Sequence, residues 1–249
     1  MDNLEFTAII AISSILAGLL GALTGLGGGV VIVPLLTLGF GVDLRYAIGS
    51  ALVSVIATSS GAAIAYVREG YSNIRVGMFL EVATTFGAVT GALIAAKAPT
   101  RVIAIIFGLV MLASTYLSNR RHQTQAVNLQ VDPLAARLKM DGSYPTPEGE
   151  QSYHVQHISG GFAVMLIAGV LSGLLGIGSG ALKVLAMDQV MQLPFKVSTT
   201  TSNFMIGVTA AASAGIYFSR GYIGSWFVYA RAARRISWSM VRSQSVSQG

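Results

Sequence analysis

The sequence predicts an all-α integral membrane protein with an internal duplication, short glycine-broken helices and about eight hydrophobic segments. Of the 249 residues, 53% are hydrophobic and only 10% are charged, whereas soluble domains carry roughly 25% charged residues. The apolar runs are long and continuous rather than alternating, which favours membrane helices over the strands of a barrel. Two glycine clusters also recur in the same register in the two halves of the chain.

The apolar segments follow one another with few charges between them. Crossing about 30 Å of hydrocarbon takes roughly 20 helical residues, and most of the segments are long enough. Two are short and directly follow the glycine clusters, a pattern typical of the broken helices of transporters. The segments are 4–24, 27–41, 46–67, 76–97, 101–118, 158–177, 181–193 and 198–218.

The duplication appears when the sequence is compared with itself at an offset of 151 residues. Residues 17–71 then lie over 168–222 without a gap, and 13 of these 55 positions are identical. Apolar identities arise easily by chance, so the matching positions of the helix-breaking glycines are the stronger evidence. It consists of the glycine clusters and a Gly-Tyr pair, namely 25–29 with 176–180 and 70–71 with 221–222.

These comparisons divide the chain into four parts. Residues 1–118 are predicted to form the first transmembrane repeat, and 158–222 a second, incomplete one. Between them, 119–157 are predicted to be a polar soluble loop, since prolines argue against a long helix there. Residues 223–249 read as a basic tail outside the membrane, as if the chain were truncated or frameshifted.

Arginines on one side of the predicted spans indicate orientation. If 76–97 and 101–118 both span, then Arg68, Arg75, Arg120 and Arg121 share a side, which the positive-inside rule makes cytoplasmic. The formal net charge of +6 arises largely in the tail and does not indicate nucleic acid.

Several kinds of chemistry find no support in the sequence. There is no cysteine, so a thiolate metal site and a cysteine nucleophile are excluded. His122, His154 and His157 lie in the polar loop without metal-ligand spacing. No Ser/His/Asp cluster falls in the spans either, so we expect no metal, no cofactor and no enzymatic activity.

The glycine clusters allow two interpretations. A helix broken at membrane depth exposes backbone N–H groups at the start of the next helix, where they and the helix dipole can bind an anion. Small residues spaced by three or four can instead allow close helix packing. Recurrence before two short segments favours the anion site, with candidate residues Gly27, Gly28, Gly29, Gly178, Ser179 and Gly180.

Two charged residues stand inside apolar segments. Lys183 follows the second glycine cluster and could neutralise an anionic substrate, snorkel to the interface, or pair with Asp188. Glu81 is the only acid in segment 76–97. It could carry a proton, pair with a basic residue of a neighbouring helix, or simply lie near the interface.

Hydroxyl and amide side chains accompany the third segment of each half. Ser50 and Thr201 are in register, and Ser202 and Asn203 follow. Such groups can coordinate an oxyanion without charge, or they can cap a helix and bond back to its carbonyls. The shared register favours the site.

Together these residues resemble a known family. Gly25-Leu-Gly-Gly-Gly with Val33-Pro-Leu-Leu and Ala47-Ile-Gly-Ser-Ala, and Gly176-Ile-Gly-Ser-Gly-Ala-Leu-Lys with the Lys196–Gly215 run, are similar to the TauE/SafE family of membrane anion permeases. The resemblance covers about 5–118 and 158–223. It implies a duplicated helical transporter of sulfite, sulfoacetate or other small anions. It also implies that the glycine motifs, Ser50, Lys183, Ser202 and Asn203 lie where the halves meet.

The sequence thus predicts a multi-pass secondary transporter of small anions in the bacterial cytoplasmic (inner) membrane. Helix N-termini and Lys183 would hold the anion, with Ser50, Thr201, Ser202 and Asn203 as neutral ligands and Glu81 for proton coupling. The expected partners are a small anionic substrate and the lipid bilayer; a homo-oligomer is compatible, and nucleic acid is not expected. The alternative is a non-transporting truncated membrane protein or accessory subunit.

Overall fold

The computed structural model describes residues 12, 15–19, 28–118 and 132–223. Most of segment 4–24, Gly27 of the first glycine cluster and the tail after residue 223 lie outside these residues. The described part is dominated by helices. In chain order its elements are α1 (Gly29–Pro34), α2 (Leu44–Arg68), α3 (Ile74–Lys97), α4 (Thr100–Ser118), α5 (Pro133–Arg137), β1 (Gly142–Thr146), β2 (Gly149–Tyr153), α6 (Ile158–Leu175), α7 (Gly180–Leu185) and α8 (Phe195–Ser219).

The helices lie where the apolar segments predict them. From segment 27–41 onward, each segment matches a helical stretch whose bounds differ by at most three residues. By length and composition, α2, α3 and α6 can cross a membrane. Large apolar side chains remain exposed along single faces of α3 and α4, as expected for surfaces that contact lipid. They include Met78, Val82, Phe86, Leu93, Val102, Ile105, Leu109, Leu112 and Tyr116.

Polar caps explain where several helices begin. The Asp43 carboxylate accepts the Arg45 N–H at 3.0 Å before α2, and the Asn73 amide oxygen accepts the Val76 N–H at 3.1 Å before α3. These side chains satisfy backbone donors that the first helical turn leaves without partners.

The two short helices share an unusual continuation. α1 runs directly into a π-helical turn, Leu35–Gly39, and α7 into another, Ala186–Val190. The bounds of α1, its π-helical turn and α2 recur 151 residues later in α7, its turn and α8. Left-handed backbone recurs as well, at Gly41 and Gln192 with φ of 64° and 56°, and at Gly70 and Gly221 with φ of 75° and 74°.

The segment predicted as a polar soluble loop contains regular structure. Residues 132–157, which we call the cap, form α5 and the antiparallel hairpin β1–β2, so the all-α prediction is wrong here. Neither strand has an apolar alternation that would reveal it, and Pro145 lies within β1. A strand of a two-stranded hairpin tolerates proline because one of its edges needs no N–H donor.

The cap is docked on the start of α3. The Asn73 side-chain amide donates to the Met140 carbonyl at 2.7 Å and to the Tyr153 hydroxyl at 2.8 Å, and the Arg75 guanidinium donates to the Lys139 carbonyl at 2.9 Å. Burial of the phenol raises the pKa of Tyr153. We call this the cap end of the molecule and the opposite end the far end.

The cap also leads into α6 through Asp132. Its carboxylate accepts the N–H groups of Leu134 at 2.9 Å and Ile158 at 3.2 Å. The Leu134 hydrogen bond is the main reason why the pKa of Asp132 lies below its usual range. One side chain therefore caps α5 and ties it to the first residue of α6.

α6 and α7 form a helical hairpin with both open ends at the cap end. The chain reverses around Gly176, Gly178 and Ser179, whose φ angles are 66°, 75° and 46°. At the open end, the Gln156 N–H donates to the Met191 carbonyl at 3.0 Å. The second glycine cluster is therefore the tip of a unit that enters from the cap end and returns to it.

α3 and α6 pack at backbone distance. Both carry a Gly-x-x-x-Gly pattern, at 87 and 91 and at 169 and 173. A Cβ atom added to Gly173 would overlap the carbonyl of Ala88, and one added to Gly169 would overlap that of Thr84. Only glycine allows this approach, which brings residues 80–85 of α3 close to the interior.

α2 and α8 run antiparallel, and reciprocal contacts join their ends. At the far end, the Arg45 guanidinium donates to the Tyr222 hydroxyl at 3.3 Å. The Cζ atom of Arg45 lies 5.8 Å from the centroid of the Tyr222 ring. At the cap end, Lys196 Nζ lies 3.6 Å from the centroid of the Tyr71 ring. Arg45 and Lys196, like Tyr71 and Tyr222, are 151 positions apart. We call these the crossed cation–tyrosine contacts.

Candidate functional site

The interior of the helices contains a fully buried lysine. Lys183 lies in α7, four residues after Ser179, and its side chain has 0% exposure. Its ammonium group lies 3.6 Å from Glu81 Oε2 and donates to the Thr209 hydroxyl. The lysine therefore does not snorkel to an interface but forms an internal ion pair between α7 and α3.

Glu81 makes unequal use of its two oxygens. Oε1 accepts hydrogen bonds from Thr209 at 2.6 Å and Thr85 at 3.2 Å. Oε2 is buried, faces Lys183 and has no hydrogen-bond partner. A carboxylate held in this way has one oxygen fixed in the packing and one oxygen available for another role.

Thr209 connects the two charged residues. Its hydroxyl group accepts from Lys183 and contacts Glu81, and its oxygen is also 3.5 Å from that of Thr84. α3, α7 and α8 each contribute to the resulting cluster. We call it the buried polar cluster; its members are Glu81, Thr84, Thr85, Lys183 and Thr209.

The two glycine clusters are in contact with each other in the interior. A Cβ atom on Gly29 would lie 2.9 Å from the Gly176 carbonyl oxygen and 3.1 Å from Ile177 Cα. Gly178 packs against the middle of α8, where an added Cβ atom would lie 2.7 Å from Ile206 Cγ2. The start of α1 and the α6–α7 turn are thus in direct contact within the interior.

The chain is similar in sequence to known membrane proteins. A family model described as "Sulfite exporter TauE/SafE" matches residues 10–238. The chain belongs to the TauE/SafE family. It is 27% identical over 236 residues to "Probable membrane transporter protein YunE" of Bacillus subtilis (strain 168), a match that covers 88% of this chain and 84% of that protein. It is 25% identical over 220 residues to "Probable membrane transporter protein YdhB" of the same organism, covering 88% and 80%.

No solved structure matches the chain. Membership of the TauE/SafE family and the names of both relatives confirm the predicted resemblance and the class of membrane transporter rather than enzyme. Within the described ranges, no three His, Asp or Glu side chains come together as ligands for a metal ion.

The hydroxyl and amide residues predicted for the TauE/SafE site occupy different positions. The Ser202 hydroxyl donates to the Gly180 carbonyl at 3.4 Å, and the backbone carbonyl of Asn203 accepts from Ser59. The Thr201 hydroxyl accepts the Asn73 N–H at 3.0 Å, near the start of α3. Ser50 is half-buried in α2. Ser202 therefore contacts the α6–α7 unit directly, whereas Thr201 supports the cap end.

The second glycine cluster contains a further buried hydroxyl group. Ser179 has 2% exposure, and its Oγ atom has no hydrogen-bond partner. Gly178 and Gly180 flank it at the α6–α7 turn, while Gly28 and Gly29 begin α1. Gly27 lies outside the described residues.

Sequence reasoning missed the three threonines of the buried polar cluster. One signal for Thr209 was available, since it is identical to Thr58 in the aligned repeat. It also follows Ser202 by seven residues, or about two helical turns, which puts both on one face of α8. Thr84 and Thr85 follow Glu81 at helical spacing, but threonines within apolar helices are too common to indicate a site.

Proposed function

We propose that this TauE/SafE chain is a secondary transporter of small anions, sulfur-containing or organic, across the bacterial cytoplasmic membrane. The observation that carries the proposal is the complete burial of Lys183 after the glycine break. A cation inside the hydrocarbon region is costly, and such residues usually line a substrate pathway. The family description as a sulfite exporter supports sulfur oxyanions as substrates.

In this proposal, the anion binds between the α6–α7 tip and the start of α1. Lys183 supplies the positive charge. Backbone N–H groups of 27–29 and 178–180 and the side chains of Ser50, Ser202 and Asn203 supply neutral ligands, whereas Thr201 binds the Asn73 N–H and supports the site from the cap end. The contact of Ser202 with Gly180 and the unpartnered Ser179 hydroxyl support this location most directly.

We further propose that the chain is an inverted duplication. The recurrence of helix bounds and of left-handed residues at 151 positions supports a repeat. The antiparallel course of α2 and α8 and the crossed cation–tyrosine contacts support a two-fold relation in the membrane plane. With segment 4–24, this accounts for the eight predicted segments of a multi-pass protein.

Alternating access follows from such a repeat, because each half can offer the shared site to one side of the membrane. The crossed cation–tyrosine contacts lie at opposite ends of the molecule and would close the two exits. Each would open in turn during a transport cycle.

Uptake by liposomes containing the purified full chain tests the transport function. We expect sulfite or sulfoacetate, rather than acetate, to accumulate in response to an ion gradient. Lys183→Ala should reduce uptake to the rate of empty liposomes. Lys97→Ala is the matched control, because Lys97 is exposed at the far end of α3 and should transport normally.

Uptake that persists unchanged in Lys183→Ala would contradict the role given to this lysine. If the wild-type chain moves none of these anions, the alternative of an accessory subunit that needs a partner is favoured instead.

A further inference from the structure

We propose that Glu81 and an anion compete for Lys183, so that the transporter binds one proton, at Glu81, with each monovalent anion. This inference rests on the proposed anion site and specifies its regulation. In the described structure, Lys183 already has a counter-charge 3.6 Å away, so it is neutralised without a substrate. A second negative charge at the same ammonium group would be repelled by the carboxylate.

The carboxylate has an oxygen that can take the proton. Oε1 is held by Thr209 at 2.6 Å and Thr85 at 3.2 Å, whereas Oε2 has no hydrogen-bond partner. Protonation of Oε2 removes the negative charge and leaves both hydroxyl contacts at Oε1 intact. The proton comes from a hydronium ion on the side from which the anion enters, so one O–H bond forms at Oε2 while one breaks in the donor, which is left as water.

Protonation has opposite effects on the two partners. The neutral acid is better suited to the buried environment, but the Lys183 ammonium group then lacks a counter-charge. An unpaired buried charge is strongly unfavourable, and a bound anion removes that penalty. Proton binding and anion binding therefore favour each other, and by linkage the effect is reciprocal.

The surrounding elements bring few other titratable groups to Glu81. α6 contains none between Ile158 and Leu175, and α8 contains Lys196 and Tyr217 near its two ends. Lys196 is engaged with Tyr71, and Tyr217 donates to the Gly173 carbonyl at 3.2 Å. Asp188, in the π-helical turn after α7, is the remaining buried acid among the described residues and calls for its own control.

Thr209 is a positioning residue in this scheme. It contacts both charged groups and would keep Glu81 Oε1 in place while the charge of the carboxyl changes. Thr209→Val should weaken the link between pH and anion affinity, and Thr209→Ser should restore it, because serine retains the hydroxyl.

The test uses methanesulfonate, a monoanion that stays fully ionised across the range, with the full chain in detergent. We expect its affinity to rise as the pH falls, by at most about tenfold per unit, and to level off at low pH. Binding in weak buffer should take up one proton per anion. Glu81→Gln, which mimics the protonated acid, should bind tightly at every pH and take up none.

Asp188→Asn is the control and should keep the pH dependence of the wild type. Wild-type binding that is independent of pH, or takes up no proton, overturns the coupling but leaves anion transport standing. A pH dependence that is lost in Asp188→Asn and kept in Glu81→Gln assigns the proton elsewhere and also overturns it. Absence of binding by wild type and Glu81→Gln alike, to sulfite as well as methanesulfonate, removes the anion site itself.

Discussion

Lys183 and Glu81 each place a charge inside an apolar helix, and each neutralises the charge of the other. Their burial means that neither can exchange its partner for water when the partner is removed. Pairing of this kind contributes little net stability, but breaking it leaves one uncompensated charge. The two residues should therefore behave as a unit.

We expect Lys183→Met and Glu81→Gln to destabilise the protein singly and the double variant to recover much of the loss. Removing one partner of a buried pair costs about 3–5 kcal/mol, whereas replacing both can be nearly neutral. Thermal unfolding in detergent without anion measures the effect. Additive losses in the double variant would show that the two residues contribute independently.

At the scale of elements, the contact between α3 and α6 depends on the absence of side chains. Backbone carbonyls occupy the space that a Cβ atom would need at Gly169 and Gly173. Close approach of this kind gives van der Waals contact along both helices, which drives association in lipid. It also holds α3 in the position from which Glu81 reaches Lys183.

Gly173→Ala should lower the unfolding temperature, because its methyl group would overlap the Ala88 carbonyl and push the helices apart. Gly215→Ala is the matched control within a helix, since no atom lies within 4 Å of an added Cβ atom there. Alanine favours helix by about 1 kcal/mol over glycine, so the control should be unchanged or stabilised. Equal behaviour of the two variants would argue against backbone packing at Gly173.

The crossed cation–tyrosine contacts at the ends of α2 and α8 can be tested by cross-linking. The chain has no cysteine, so introduced pairs can be cross-linked selectively. Bridging Tyr71→Cys with Lys196→Cys, or Arg45→Cys with Tyr222→Cys, by a short reducible reagent should stop uptake into liposomes. Reduction should restore it, and each single-cysteine variant treated in the same way is the control. Transport that continues through a cross-linked pair would show that this end does not open.

The whole fold was partly predictable because its main signals are local. Apolar length predicts each of the helices from α1 to α8 except α5 to within three residues, and the glycine register predicts the offset of 151 at which helix bounds recur. The β-hairpin was not predictable, since neither strand has an apolar alternation and the contact of Tyr153 with Asn73 that docks it is a tertiary one. Short hairpins acquire their stability from such contacts rather than from their own sequence.

The two charged residues of the buried polar cluster were predictable one by one, but their arrangement was not. Charge within apolar segments marks Glu81 and Lys183 separately, and nothing in the chain between them indicates that they pair. Their pairing depends on how closely α3 approaches the interior and on Thr209 between them, both of which are properties of packing. Thr201 shares the register of Ser50 but serves the start of α3.

The orientation of the whole molecule gives a further prediction. Five described basic residues lie at the cap end and four at the far end, so we predict from the positive-inside rule that the cap end is cytoplasmic. They are Arg68, Arg75, Arg137, Lys139 and Lys196 against Arg45, Lys97, Arg101 and Arg220. In intact cells, a membrane-impermeant maleimide should label a cysteine replacing exposed Thr100 at the far end, but not one replacing exposed Glu148 at the turn of the cap. The opposite labelling pattern would invert the assigned orientation.

The crossed cation–tyrosine contacts are those that a symmetric dimer would make. In two copies of one half-length chain, Arg45 with Tyr222 and Lys196 with Tyr71 would be a single contact formed twice across a two-fold axis. If the axis lies in the membrane plane, as the proposed inverted duplication requires, the two copies would have to insert in opposite orientations. An ancestral half-length protein of this kind would have needed a nearly balanced distribution of basic residues, and gene fusion would have freed each half to specialise. Lys183, which aligns with Ile32 of the first half, is where such specialisation would have placed a buried lysine that the other half lacks.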